Sequence, residues 1–433
     1  MSSRQSNLQE RFWRLAGINI LSNLMVPLAS SIDLAFLGHL NDINYLAGVA
    51  IATVLFNYIY WTFGFLRMGT TGLTAQAKGR ESQTDIILIL LRNSAIALGI
   101  GLIILLLQQA IENIGFTLLQ GDSEVLAAGR NYYRGLIWGA PATLINFVIF
   151  GWFLGKEEAN KVLLLSIVSK GANIVLDYLF IVRWNQYSYG AGAATAISQY
   201  ITLCLGLIFI LRQLPLDTLR SHFDRIYNPK AFKTIFALNR DIMIRTLALV
   251  STFSAFTNLS GIMGKNTSAS NTLLLQVVTL AAYFIDGIAF ATESIAGNLQ
   301  GKGDKKQLNY LLKLAGSVSL IAGLAFATIF NLFPQQLFGL LTNHAVVIET
   351  LKNYLWWLFP ILSFGAIAYM LDGYFLGLTA GKILRQSTIT ATFIGFVPLA
   401  TIAWHQQANN LLWLALTFFM ATRSITLLYF LRE

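Results

Sequence analysis

The length of the apolar runs constrains this chain more than any other feature of its sequence. Twelve of them follow one another with little between: roughly 12–37, 46–72, 85–108, 129–154, 160–183, 190–212, 233–262, 267–297, 309–331, 347–378, 384–404 and 408–431. About 20 apolar residues in a helix cross the hydrocarbon core of a bilayer, whereas a strand crosses it in about 10 residues of alternating polarity. Only 12% of the 433 residues are charged, against about 25% in soluble domains, and the mean hydropathy is +0.61. The expected fold class is all-α and integral to the membrane, with twelve transmembrane helices. Residues 1–11 are polar, and the first run is too long for a cleavable signal peptide and lacks its small-residue cleavage site.

A net charge of +10 would suit a nucleic-acid binder, but its distribution does not. Arg4, Arg11 and Arg14 stand at the start of the first run, Lys78 and Arg80 after the second, and Lys156 and Lys161 between the fourth and fifth. Arg212, Arg220, Arg225, Lys230 and Lys233 join the sixth and seventh; Lys302, Lys305 and Lys306 follow the eighth, and Lys382 and Arg385 the tenth. The intervening loops 38–46 and 405–410 hold no Lys or Arg. This alternation is the positive-inside pattern. It expects both termini in the cytoplasm, membrane lipid as the surroundings, and no nucleic acid as partner. Cys204, the sole cysteine, lies in the sixth run and reads as a small buried apolar residue. His39, His222, His344 and His405 are scattered over loops and run ends and form no metal constellation.

The chain also repeats itself. FTLLQGDSEVLAAGRNYY at 116–133 matches FGLLTNHAVVIETLKNYL at 338–355, and GWFLG at 151–155 matches GYFLG at 373–377, both at a spacing of 222. AQAKG at 75–79 matches LQGKG at 299–303 at a spacing of 224. Similarity at one long spacing marks a duplication. Six runs, an even number, separate the matched loops, so the halves share one orientation and are related by a pseudo-two-fold along the membrane normal. The expected organisation is an N-terminal six-helix bundle at 1–212, a basic cytoplasmic linker at 213–232 and a C-terminal six-helix bundle at 233–433. Two such bundles around a cleft suit a transporter that works by alternating access.

VPLASSIDLAFLGHL at 26–40, followed by FLRMGTTGLTAQAKG at 65–79, resembles the multidrug and toxic compound extrusion (MATE) family. FIDGIAFATESIAGNLQGKG at 284–303 is similar to the matching motif of that family's second half. Gly-His after the first run and Leu-Arg-Met before Thr-Thr-Gly are most similar to the DinF-like branch. The resemblance covers the whole chain. It implies a secondary antiporter, active as a monomer and free of cofactors, that exports small organic compounds in exchange for H⁺ or Na⁺. Short loops with no appended domain point to a bacterial inner membrane.

Ionisable residues at membrane depth cost about 2.5–3.5 kcal/mol each on insertion scales, so each asks for a function. Asp177 and Asn173 are four apart and share a helix face. Asp177 lies six residues before Arg183, Asp33 five before Gly38, and Thr195 about five into the sixth run. At 1.5 Å per residue all three sit roughly 8 Å below the outer boundary. Two carboxylates, an amide and a hydroxyl from three helices are thus expected to converge. Hard cations take oxygen ligands, and neighbouring buried carboxylates hold protons more readily, so the set suits Na⁺ or H⁺ alike. The resemblance implies the same: Asp33, Asn173, Asp177 and Thr195 match the family's N-terminal cation or proton site. Pro27, six residues before Asp33, removes a helical hydrogen bond and is the expected hinge.

The second half carries Asp286, Glu293 and Asp372 as further intramembrane acids, with structural pairing as their expected role. They are not repeat copies: Phe150 stands opposite Asp372. Other family branches are implied to carry a coupling carboxylate in the seventh span, whereas STFSAFTNLSGIM at 251–263 has none. Arg67, Lys170 and Arg245 are the basic residues noted within runs. Lys170, Asn173 and Asp177 form an i, i+3, i+7 stripe, so Lys170 either reaches the cytoplasmic surface, balances Asp177 or faces an anionic substrate. Arg67 is a candidate for gating, and Tyr132, Tyr133, Trp152, Tyr369 and Tyr374 for contact with flat amphipathic molecules. A flippase for lipid-linked precursors or an organic-anion exporter are the alternatives on the same architecture. An embedded enzyme would need an Asp-rich metal motif, a Ser/His dyad or HExxH, and the runs contain none of them.

Overall fold

The computed structural model describes residues 3–38, 40, 42–119, 121–342 and 344–432; His39 lies outside them. The apolar runs become helices because, in hydrocarbon, each backbone N–H and C=O has to be satisfied inside its own segment. The spanning helices are α1 (Ser3–Gly38), α2 (Ile43–Gly79), α3 (Gln83–Leu106), α4 (Ser123–Gly155), α5 (Ala159–Arg183), α6 (Tyr187–Gln213), α7 (Pro229–Ile262), α8 (Lys265–Lys302), α9 (Lys305–Leu332), α10 (Leu355–Gly377), α11 (Gly381–Gln406) and α12 (Asn409–Phe430). Among the described residues, α2 to α12 are each long and apolar enough to cross a membrane, and α1, 36 residues long, carries the first run. The protein is an all-α integral membrane protein with twelve spanning helices in two six-helix bundles. Short polar side chains start several of them: Asp42 accepts from the Asn44 amide at 2.9 Å and Asp304 from that of Gln307 at 3.1 Å, each satisfying an orphan N–H.

The boundaries depart from the apolar runs where a helix end is covered by protein. α2 continues past residue 72 to Gly79 and α8 past 297 to Lys302, since Thr70, Thr71, Thr74, Asn298 and Leu299 are buried. The run at 347–378 is two helices, Ala345–Lys352 and α10. Cys204 is exposed rather than buried; on a spanning helix the surrounding medium is apolar too, so a thiol facing outward loses little.

The chain forms two compact units: Leu21–Phe236, and Met1–Ile20 with Ala237–Glu433. α1 contributes to both. Gln9 Nε2 donates to Tyr310 Oη at 2.5 Å in the second unit, and Ser22 Oγ meets Ser166 Oγ at 2.8 Å in the first. α1 runs unbroken through Pro27.

The duplication is visible inside each unit as one backbone contact made twice. A Cβ on Gly151 of α4 would lie 2.4 Å from the Arg67 carbonyl oxygen of α2, and one on Gly373 of α10 would lie 2.4 Å from that of Ala289 in α8. A turn later, a Cβ on Gly155 would lie 2.6 Å from the Thr71 oxygen, and one on Gly377 2.3 Å from that of Glu293. All four pairs of positions keep the spacing of 222. Small residues let spanning helices touch backbone to backbone, where packing replaces the missing hydrophobic drive. Gly151→Ala and Gly373→Ala should each lower the melting temperature in detergent, by overpacking worth about 1–3 kcal/mol. Gly17→Ala, whose Cβ meets nothing within 4 Å, should leave it unchanged.

Between α4 and α5, Glu158 takes Lys161 Nζ at 2.6 Å and Lys156 Nζ at 2.9 Å. Burial alone would push its carboxyl up, but the hydrogen bonds and charges of Lys161 and Lys156 outweigh this and hold it below the usual range. A carboxyl lowered by folding stabilises above its unfolded value and loses that contribution as pH falls through the folded one. Glu158→Gln should therefore melt lower than wild type above about pH 5, with the gap closing at more acid pH in a melting series.

Candidate functional site

In the first unit, α4 and α6 cross with backbones in contact. A Cβ on Gly192 would lie 2.3 Å from the Tyr132 carbonyl oxygen, and one on Gly135 2.5 Å from that of Tyr189. The crossing sets Tyr132 against the face of α6 that carries Gly192 and, one turn on, Thr195. The Tyr132 ring packs edge-on against Phe56, 6.1 Å between centroids. The Thr195 hydroxyl reaches the Ala191 carbonyl at 3.1 Å.

Asp177 is the last residue of the α-helical part of α5; Tyr178–Arg183 continue as a π-helical turn. Such widened turns recur at functional sites. Asp177 is 1% exposed, and Asn173 Nδ2 donates to its Oδ2 at 2.7 Å. Asp33 on α1 stands one turn before Leu37, as Asp177 stands one turn before Ile181, and Leu37 and Ile181 pack in one apolar cluster, which brings the two acids to one level. Lys170, two turns before Asp177 on α5, is half-buried. Asp33 Oδ1 and Asp177 Oδ1 are buried without a hydrogen-bond partner among the described residues. Two bare carboxylates about 4 Å apart repel by about 4 kcal/mol at an effective dielectric constant of 20. A proton or cation taken up between them relieves that repulsion.

The site is layered. Leu37, Val49, Ile181 and Ala191 form a small buried apolar cluster with Tyr132 packed on it. Asp33, Thr53, Asp177 and Thr195 each lie four residues from one of these, toward the same side: before it in α1 and α5, after it in α2 and α6. One helical turn separates a polar level from an apolar one. Beside them, Ile32, Ala35, Phe36, Leu40, Ile181 and Val182 line most of a cavity of about 520 Å³ between α1 and the π-helical turn.

The second unit disposes of its acid differently. Asp372 Oδ2 takes the guanidinium of Arg245 from α7 and that of Arg423 from α12, the latter at 2.5 Å. Arg423 is fully buried and stacks over Tyr369 and Phe419, 5.7 and 5.6 Å from the ring centroids. Asp286 lies in the field of Arg423, Tyr369 and Tyr283. Glu293 is fully buried in α8 where Gly377 crosses it. Arg67 stands in α2 where Gly151 crosses it.

The expected aromatic lining is partly spoken for. Trp152 is fully buried and donates to the Ile86 carbonyl at 3.0 Å, and the Tyr133 hydroxyl donates to that of Gln108 at 2.9 Å. Both fill the bundle. Thr53 and Arg423 went unnoticed in the sequence. Thr53 gives no signal of its own among apolar neighbours. Arg423 does, being a charge inside the last run.

A family model named MatE matches residues 19–179 and again 242–402. The chain belongs to the MatE family. Its two matches fall on the two repeated halves, and members of the family are efflux transporters of small organic compounds rather than enzymes. This MatE chain is 35% identical over 415 residues to DNA damage-inducible protein F of Escherichia coli (strain K12), covering 96% of this chain and 90% of that one. Its fold is similar to the outward-facing conformation of a multidrug resistance MATE family transporter of the MOP superfamily, with TM-score 0.89, 22% identity, and 98% and 95% of the two chains covered. It is also similar to a MOP superfamily transporter from Pyrococcus furiosus Vc1 (DSM3638), with TM-score 0.88, 22% identity and the same coverage.

Removing one member of a buried ion cluster costs about 3–5 kcal/mol, while an apolar replacement of the whole is often neutral. Asp372→Ala should therefore melt well below wild type. The triple variant Arg245→Met, Asp372→Leu, Arg423→Met should recover most of the loss.

Proposed function

We propose that this MatE protein is a secondary antiporter that exports amphipathic or cationic organic compounds in exchange for a cation, H⁺ or Na⁺, by alternating access. The observation that carries this reading is the contrast between the two acid clusters. Asp372 is held by two guanidinium groups, while the hydrogen-bond donor to Asp177 Oδ2 is the neutral amide of Asn173. An acid already bound to a fixed cation has nothing left to exchange. Repelling acids on two different helices change their interaction whenever a cation arrives or leaves, and a difference in binding between two states is what drives a population shift. The apolar cavity beside α1 supports an apolar part in the exported compound. The alternation of Lys and Arg along the chain supports cytoplasmic termini in a bacterial inner membrane.

In proteoliposomes loaded with a fluorescent lipophilic cation, an imposed H⁺ or Na⁺ gradient should drive counter-transport by wild-type protein. Asp177→Asn and Asp33→Asn should reduce it to the level of empty vesicles while the variants still insert and melt cooperatively. Full gradient-driven transport by Asp177→Asn would overturn the reading. Transport of an organic anion instead of the cation would move the cargo to the other charge class.

A further inference from the structure

A short helix, Gln108–Leu118, joins α3 to α4 in the first unit. It lies at the end of α3 away from Lys78 and Arg80. Its faces differ. Leu107, Ile111, Ile114 and Leu118 recur at i, i+4, i+7 and i+11, and Leu107, Ile114 and Leu118 are 52%, 64% and 78% exposed. Glu112 and Phe116, four apart on another face, are buried. A helix with one apolar stripe left open and one polar face lies in the plane of the membrane interface, its stripe in the acyl region.

Glu112 fastens the polar face to α4. Its carboxylate takes Arg134 Nη2 at 3.0 Å and Nε at 3.2 Å, and Arg130 Nη1 at 3.4 Å. Arg130 also stacks over the Phe116 ring, 5.0 Å from its centroid. Two guanidinium groups against one carboxylate leave one positive charge over. It is open on the Arg134 side, where the side chain is 60% exposed. Arg134, Glu112 and the carboxamides of Gln108, Gln109 and Asn113 line a cavity of about 400 Å³.

The connection can be made without these ions. At the spacing of 222, Pro334, Lys352 and Trp356 stand in place of Glu112, Arg130 and Arg134, and the second half still places a short helix there, Pro334–Gly339. Trp356 is 52% exposed, and tryptophan is a residue of the membrane interface. The first half puts a guanidinium at the corresponding position.

We propose that this cavity binds an anionic phospholipid with a hydroxylated headgroup, of the phosphatidylglycerol class. The phosphate takes the open edge of Arg134, a planar fork suited to phosphate oxygens. The headgroup hydroxyls meet the amides of Gln109 and Asn113, and the acyl chains follow Leu107, Ile114 and Leu118. An ammonium headgroup finds no anion to spare here, since Glu112 already carries two guanidinium groups. The proposal does not rest on the exporter reading.

The test is lipid binding. Full-length protein, delipidated in detergent, is melted with added phosphatidylglycerol, phosphatidylethanolamine or phosphatidylcholine of the same acyl chains, and separately with free glycerol phosphate. A ligand that binds only the folded state raises its stability by RT ln(1 + [L]/Kd). Phosphatidylglycerol is expected to raise the wild-type melting temperature several degrees more than the other two lipids, and free glycerol phosphate to leave it unchanged. Arg134→Trp, the residue that the second half uses at this position, is expected to lose that difference. Asn113→Ala, which breaks no ion pair, is expected to narrow it, and decides the matter if Arg134→Trp does not fold. Arg220→Gln, an equal loss of charge in the linker, is expected to keep it. Equal gains from the three lipids in wild type would overturn the proposal, and so would the full difference in both Arg134→Trp and Asn113→Ala, or its loss in Arg220→Gln. A gain from free glycerol phosphate as large as that from the lipid would overturn it in favour of a soluble-anion site.

Discussion

Backbone touching backbone is the interaction on which both bundles depend. At Gly151 and Gly155 in one half, and at Gly373 and Gly377 in the other, a spanning helix lies against its neighbour with no space for a methyl group. Lipid tails offer no reward for burying one apolar side chain against another, so close fit supplies the attraction. Where two helices are locked this tightly, the side chains around the crossing inherit fixed positions. The Gly192 crossing does this for the acid site, fixing Tyr132 of α4 against α6 one turn from Thr195.

With the scaffold fixed, the remaining problem is charge. A carboxylate taken out of water is tolerable only with compensation, and the two halves answer differently. Asp372 is compensated permanently by Arg245 and Arg423 on α7 and α12. Asp177 is compensated in part, by the neutral amide of Asn173. Incomplete compensation gives a site something to do, because the deficit can be met by a mobile cation and released again.

Much of this was legible in the sequence. The twelve helices follow from run lengths, since apolar residues must be helical in lipid. The duplication follows from glycines and aromatics repeated at a spacing of 222, now visible as the same contact made twice. The hydrogen bond from Asn173 to Asp177 follows from their spacing of four on one helix face. Three things did not follow. Helix ends at Gly79 and Lys302 were set too short because hydropathy does not tell polar residues buried in protein from polar residues in water. Thr53 was hidden because a lone threonine in an apolar run is usually silent. The partners of Asp372 were hidden because Arg245 and Arg423 lie 127 and 51 residues away in the chain, and only the fold brings them to one oxygen.

The repeated glycine contact gives the molecule an internal control. Two copies of one backbone arrangement have been carried in one chain, and their crossings still pair the same positions at the same spacing. Their charges have not been kept in step: Phe150 stands where Asp372 would be, and Ala255 and Leu399 stand opposite Asp33 and Asp177. Geometry and electrostatics have therefore drifted apart as separable layers of inheritance. The half with its acid tied down is a ready-made reference for the half with its acids open, measured in the same membrane and on the same molecule.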